Sequence, residues 1–453
     1  MYSGKLNYKY LITFLFIFFA SSYLYSNLPF IDHDTVIYRI IGRDIFETQS
    51  LPYTKTFDHK PIVTYYIYGF LNLILHSNLN LITSLACCLI SALILCKRNL
   101  NSFFILSSGL ICGSALYSYM SGNTEILMLP FISAYLYTFD RKGLPKFFVL
   151  GVLAAILFNI NYLAAVIMMP VSLYMFFNNT FANSIKSIIY FLLGFLTASF
   201  FIFLPFIAWN QSILDYFNLQ HQFLKSYSNA ITFNSSKSLI KFTLLLLPSL
   251  AVFICFLKKD REFILYILLF LGTVLASFSS GHGYIHYLVP LSIPMSLMFL
   301  SSFNYKKTYT LLGVLPIILG LIYILIVSIP AIKSPKGPTY LLSDQGKKDL
   351  LHINQLAQID NTSLNIKSSH IIYLFSKARN INKLVFPDHP DIFYGKDSEK
   401  YYIEQINKHP HLIMTEINMC QSNSNVCDLI KKNYNYDSTS NYDFGYDLYV
   451  RKK

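Results

Sequence analysis

The densest collection of reactive side chains lies early in the chain, between Ile31 and Gly69. Asp32, His33, Asp34, Asp58, His59 and Lys60 fall inside this stretch, an unusual concentration for so apolar a sequence. Carboxylates and imidazoles at this density suit general acid–base catalysis or cation binding, and a lysine among them suits an anionic group. Further along, Glu125 stands in SGNTEILMLP, and His282 and His286 are four residues apart in SSGHGYIHY. That spacing places two imidazoles on one helical face, either as a metal pair or as an interfacial pair. Asp34 equally suits the cap or first turn of a helix, because Val36, Ile37, Ile40, Ile41 and Ile45 recur at helical period after it.

The elements that must position these residues are apolar. Of 453 residues, 54% are hydrophobic and only 13% charged, about half the charged share of soluble domains. The mean hydropathy is +0.45. Composition therefore indicates a polytopic helical membrane protein, with apolar segments between residues 10 and 330. The net charge of +13 is explained by basic loops on one membrane face, and no nucleic-acid motif accompanies it. Counting loop charges separates two topologies. If segment 61–77 crosses the membrane, Lys97, Arg98, Arg141, Lys142, Lys258 and Lys259 all fall outside; if it lies along the outer interface, all fall inside. The second arrangement gives about eleven spans plus a juxtamembrane helix, a cytoplasmic N-terminus and an extracytoplasmic C-terminus. The domains expected are then 1–334, a membrane unit with an outer loop at 27–77, and 335–453, a small soluble α/β unit. In that second unit HIIYLFS, KLVF, HLIMTEI and YDLYVRKK read as strands, and GKKDLLHINQLAQ and SEKYYIEQINK as helices.

Five of the seven cysteines (Cys87, Cys88, Cys96, Cys112 and Cys255) sit in or beside apolar runs and match no zinc spacing. Cys420 and Cys427 close a short polar loop, as a disulfide if the tail is outside the cytoplasm or otherwise as two thiols.

The motifs carry a resemblance. Asp34, Tyr38, Leu51-Pro52-Tyr53, Asp58, Lys60 and Pro61 resemble the first outer loop of bacterial protein-mannosyltransferase-like and lipid A aminoarabinose transferases, of the GT-C fold class. Glu125 is similar to that group's second acidic position, and His286-Tyr287 with Pro290 and Pro294 to its His-Tyr-x-x-Pro segment. Thr35, Ile62 and Asn161 depart from the pattern, Asn161 standing where relatives often have lysine. The resemblance covers roughly residues 10–330 and implies a bacterial inner-membrane glycosyltransferase. It implies transfer, with inversion, from a polyprenyl-phosphate sugar to a hydroxyl of a lipid, protein or glycan on the outer face. In that scheme Asp34, or else Asp32, is the general base, and Lys60 with His286 and His282 binds the donor phosphate. Glu125 and Asp58 hold the acceptor or a divalent metal. A polysaccharide polymerase or ligase, and a lipid-linked sugar flippase or transporter, are the alternatives. The near absence of charge inside the apolar segments disfavours the transporter.

Overall fold

A computed structural model describes residues 6–27, 32–75, 79–118, 120–177, 181–229, 261–279, 284–302, 322, 344–421, 424–438 and 446–452. Segment 238–257, most of 308–330, His282 and Cys255 lie outside the described residues.

Among the described residues, the elements of the N-terminal portion are helices: α1 (Tyr8–Asn27), α2 (His33–Thr48), α3 (Ile62–Ile74), α4 (Leu79–Leu95), α5 (Leu100–Ser118) and α6 (Thr124–Phe139). It continues through α7 (Pro145–Ile160), α8 (Leu163–Phe177), α9 (Phe181–Ala208), α10 (Ile213–Asn229) and α11 (Arg261–Ser279). A 3-10 turn, Ile285–Leu291, then leads into α12 (Ser292–Ser302).

The expectation of about eleven spans is overturned. Among the described residues, two helices are long and apolar enough to cross a membrane, Leu100–Ser118 and Ser184–Ala208 within α9, or three if α3 and α4 are one bent span. The reason is length. Most of the apolar segments form helices of 13–17 residues, and 16 residues rise only about 24 Å against a hydrocarbon core of about 30 Å. α3 does not continue α4 in a straight line, since their axes differ by 113°. The two long helices are consistent with membrane association.

α2 forms where its apolar period is strongest. Asp32 caps it by accepting from the Thr35 backbone N–H at 3.2 Å, Asp34 complements the dipole in the first turn, and Gln49 ends it in the left-handed region. Val36, Ile37, Ile40, Ile41 and Ile45 are all buried. α2 crosses α3 with backbone against backbone at Gly42 and Gly69. A Cβ on Gly42 would collide with the backbone of Gly69 and with the Tyr65 carbonyl, so only glycine permits this approach.

Residues 344–452 build a five-stranded sheet, ordered β2-β1-β3-β5-β4. The strands are β1 (Thr362–Ile366), β2 (Arg379–Asn380), β3 (Leu412–Glu416), β4 (Tyr434–Tyr436) and β5 (Tyr446–Arg451). β1 is parallel to β2 and β3, and β5 is antiparallel to β3 and β4. α13 (Asp344–Leu356), α14 (Ile372–Phe375), α15 (His389–Tyr394), α16 (Ser398–Ile406) and α17 (Asn425–Asn433) complete the unit. The period of two divides β3 between two cores: Ile413 packs with Tyr402, Ile406 and Ile430, whereas Leu412 and Met414 join the core shared with the helical portion. Cys420 and Cys427 form a disulfide. HIIYLFS is a four-residue helix rather than a strand, and KLVF contributes only one bridge, Leu384 pairing in parallel with Phe57.

The sheet unit is fastened to the first segment by several bonds. The Phe57 N–H donates to the Lys383 carbonyl at 2.7 Å, and Arg43 Nη1 donates to the Tyr373 carbonyl at 2.9 Å. The His370 Nε2 lies 2.8 Å from the His33 carbonyl, and Arg379 pairs with Glu47 at 3.3 Å.

Candidate metal centre and acidic pocket

Two clusters of ionisable residues flank the start of α3. The first is Asp58, His59 and His389, whose ligand atoms all lie within 4.8 Å of one another. Asp58 and His59 follow the isolated bridge at Phe57 in the turn that leads to α3, and His389 begins α15, with Pro390 favouring the helix start. Asp58 Oδ1 is 3.0 Å from His59 Nδ1 and 3.8 Å from His389 Nε2. Donors about 2.1 Å from a tetrahedral ion lie about 3.4 Å apart, so these separations bracket the requirement. The Tyr65 hydroxyl donates to Asp58 Oδ2 at 3.1 Å and orients the carboxylate. Gln220 on α10 donates to the Lys60 carbonyl at 3.2 Å and fixes the backbone behind it.

Aromatic rings close the cluster. Phe223 stacks on His59 and meets His389 edge-on, and Phe386 stacks on His389. Burial alone would push the Asp58 carboxyl up. His59, by charge and hydrogen bond, then His389 and Lys60 outweigh it and hold Asp58 well below the usual carboxylate range. Burial drives His389 down to about 3. The centre thus presents an ionised carboxylate and a neutral imidazole at pH 7, the forms that ligate metal. His389 Nδ1 is buried with no hydrogen-bond partner among the described residues. A buried Asp/His/His group of this kind can coordinate a divalent metal.

The second cluster is an acidic pocket. Asp32 and Asp34 come from the start of α2, Glu125 from the first turn of α6, Lys60 from the approach to α3, and His286 from the 3-10 turn. Asp32 is pushed well above the carboxylate range, first by burial, then by Asp34, with Glu125 adding and the Thr35 N–H and Lys60 opposing. The field of Asp34 also reaches His286 and Tyr287. The Lys60 ammonium lies 5.8 Å from the Tyr287 ring centre. Glu125 is 2% exposed; Asn161 Nδ2 donates to its Oε1 at 2.7 Å, and its Oε2 has no hydrogen-bond partner among the described residues.

The fold therefore gathers Asp32, Asp34, Glu125, Lys60 and His286, and sends Asp58 to the other cluster. His282 lies outside the described residues. His389 escaped sequence reasoning. It stands more than three hundred residues from Asp58, in a run with no metal spacing, so no local signal marks it.

No family model matches the chain, and no curated protein matches it. The resemblance to GT-C glycosyltransferases is therefore not sustained, and the many-span frame that it requires is not the one described. The expected sugar transfer from a polyprenyl-phosphate donor falls with that frame.

Proposed function

We propose that the protein is a membrane-associated metalloprotein in which Asp58, His59 and His389 hold one divalent cation of the zinc type. The ion clasps the C-terminal sheet unit onto the first segment, beside the acidic pocket. The observation that carries this reading is the convergence of three ligand atoms from two distant parts of the chain within 4.8 Å. Two imidazoles with one carboxylate favour zinc or a neighbouring transition metal over magnesium or calcium, which prefer all-oxygen shells. The aromatic walls of Phe223 and Phe386 limit water and favour a clasp. Membrane association is supported by α5 and α9.

The test uses the full chain in detergent, stripped with a chelator and titrated with zinc against a chromophoric competitor. One ion per chain is expected, and His389→Ala should weaken binding by at least about 100-fold. Zinc uptake that is absent in the wild type, or undiminished in His389→Ala, would falsify the reading.

The acidic pocket supports a second role, proton transfer at Asp34. Paired carboxylates whose acidities are driven apart are how acid–base enzymes divide the two tasks, and burial and Asp34 raise the Asp32 carboxyl well above its ordinary value. Infrared spectroscopy of the protonated Asp32 carboxyl tests this. Asp34→Asn should lower the pH at which the band disappears, and a band that does not move would sink the idea.

A further inference from the structure

A cleft of about 910 Å³ opens on the far side of the aromatic wall from the metal ligands, between residues 48–55, α10 and the sheet unit. Its size falls within the range of small-molecule sites, roughly 300–1,000 Å³, and exceeds what a simple inorganic ion needs. Lys55, Arg379, Lys383 and Lys408 line it, and among the described residues no carboxylate does. Two of these cations are engaged by acids of α2: Arg379 pairs with Glu47 at 3.3 Å, and Lys55 lies 4.0 Å from Asp44. Lys408 donates to the neutral Gln405 amide at 2.7 Å, which leaves its charge uncompensated by that contact. Arg379 Nη1 is buried without a hydrogen-bond partner among the described residues, a donor awaiting an acceptor.

The remaining wall is of a different kind. Phe393, Tyr394 and Tyr401 line it together with Leu219 and Leu384. Tyr394 and Tyr401 stack at 4.5 Å, and Tyr394 is 37% exposed, so an aromatic face is presented next to the cations. Asn361, Asn380 and Gln405 add polar groups at the rim. Concentrated positive charge beside flat rings is the chemistry that recognises a phosphate group and an aromatic ring in one molecule.

We propose that this cleft is a binding site for an organic phosphate carrying a flat ring, a ligand of nucleotide size. The phosphates meet Arg379, Lys383 and Lys408, and the ring lies against Tyr394. Leu219, Leu384 and Phe393 also belong to the cluster around Phe57 and Phe223, so the partition behind this site is the wall of the metal centre. The cleft residues are distinct from the proposed metal ligands, and the two readings fail separately.

Calorimetric titration of the full chain in detergent, with and without added zinc, using ADP, pyrophosphate and adenosine tests the proposal. ADP should bind saturably with a Kd in the range of about 1–100 μM, pyrophosphate about 10-fold more weakly, and adenosine most weakly. Lys383→Glu and Lys408→Glu should each weaken ADP by at least about 10-fold, with unchanged melting temperatures showing that both variants fold. Tyr394→Ala should weaken ADP while leaving pyrophosphate unaffected. Absence of saturable ADP binding up to about 1 mM, or charge reversals without effect, overturns the site. Equal affinities for ADP and pyrophosphate overturn the ring's part in it.

Discussion

Asp58 and Asp32 are carboxylates from the same early stretch, the first buried and the second half-buried, yet their acidities are displaced in opposite directions. Asp58 faces imidazoles, a tyrosine hydroxyl and, further off, Lys60. Asp32 faces Asp34 and Glu125, with a single capping N–H and Lys60 in its favour. Burial pushes both upward; the sign of the neighbours decides the outcome. One cluster is built to keep a negative charge and attract a cation. The other makes ionisation harder.

The largest test of that contrast removes each carboxylate in turn. Asp58→Ala takes the carboxylate away from half-buried His59 and buried His389 and removes one of the two bonds of the Tyr65 hydroxyl, and should destabilise the chain by about 3 kcal/mol or more even in chelator. Thermal melting in detergent measures it, and a loss below about 1 kcal/mol would remove Asp58 from the centre of its cluster.

Acidity offers the next effect. The folded value of His370 is about 3, lowered chiefly by burial, against an ordinary value of 6.5. An unfolded chain therefore binds the proton first, and stability should fall as pH drops from about 6.5 towards about 3. His370 contacts the His33 carbonyl, so the loss should appear as release of the sheet unit from α2, read by hydrogen exchange at residues 33–37. Protection that stays flat across this window would contradict the buried neutral imidazole. Asp32 works in the opposite sense: its raised folded value means that its contribution is present at low pH and is lost as pH rises above about 4 through that value.

A smaller effect concerns the spacing of the two clusters. Gly42→Ala forces α2 from α3, which carry the acidic pocket and the segment behind Asp58, and should cost about 1–3 kcal/mol. A neutral melting curve would show that the helices adjust freely. Smallest is Asp32→Asn, where asparagine caps as well as aspartate and the repulsion disappears. Stability at pH 7 should stay within about 0.5 kcal/mol of wild type or rise, so a clear loss would show that the Asp32 charge is needed.

Much of this arrangement was legible from sequence where the periodicity was strong. The apolar period after Asp34 locates α2, and the alternating runs at 412–416 and 446–451 are strands. β1 was not legible, because Ser363 and Asn365 are buried polar residues. Asn365 satisfies itself by donating to the Ser368 and Val385 carbonyls, which hydropathy cannot register. HIIYLFS looks like a strand by composition, but His370 and Tyr373 turn it onto α2 through His33 and Arg43. The span count failed for a related reason. Apolar length alone cannot distinguish a helix that meets lipid from a short one that packs on its neighbours, as α6 does with Ile126, Leu129, Ile132 and Tyr135 fully buried. Within the candidate sites, Asp32, Asp34, Asp58, Lys60 and Glu125 stood out as charge in an apolar chain. His389 and Gln220 did not, since only tertiary contacts bring them near Asp58.

The bridge between Phe57 and Leu384 also sets an order of events in time. A ribosome adds about 5–20 residues per second, so the partner of Phe57 emerges on the order of tens of seconds after it. During that interval the nascent segment around Asp58 exposes an unpaired backbone edge and two aromatic residues, Tyr53 and Phe57, whose eventual neighbours include Phe206, Phe223 and Leu384. Such delayed long-range pairing slows folding and leaves early segments open to wrong partners. For this chain, maturation of the first loop is a late step of biosynthesis, and premature termination before residue 384 yields a loop that never closes.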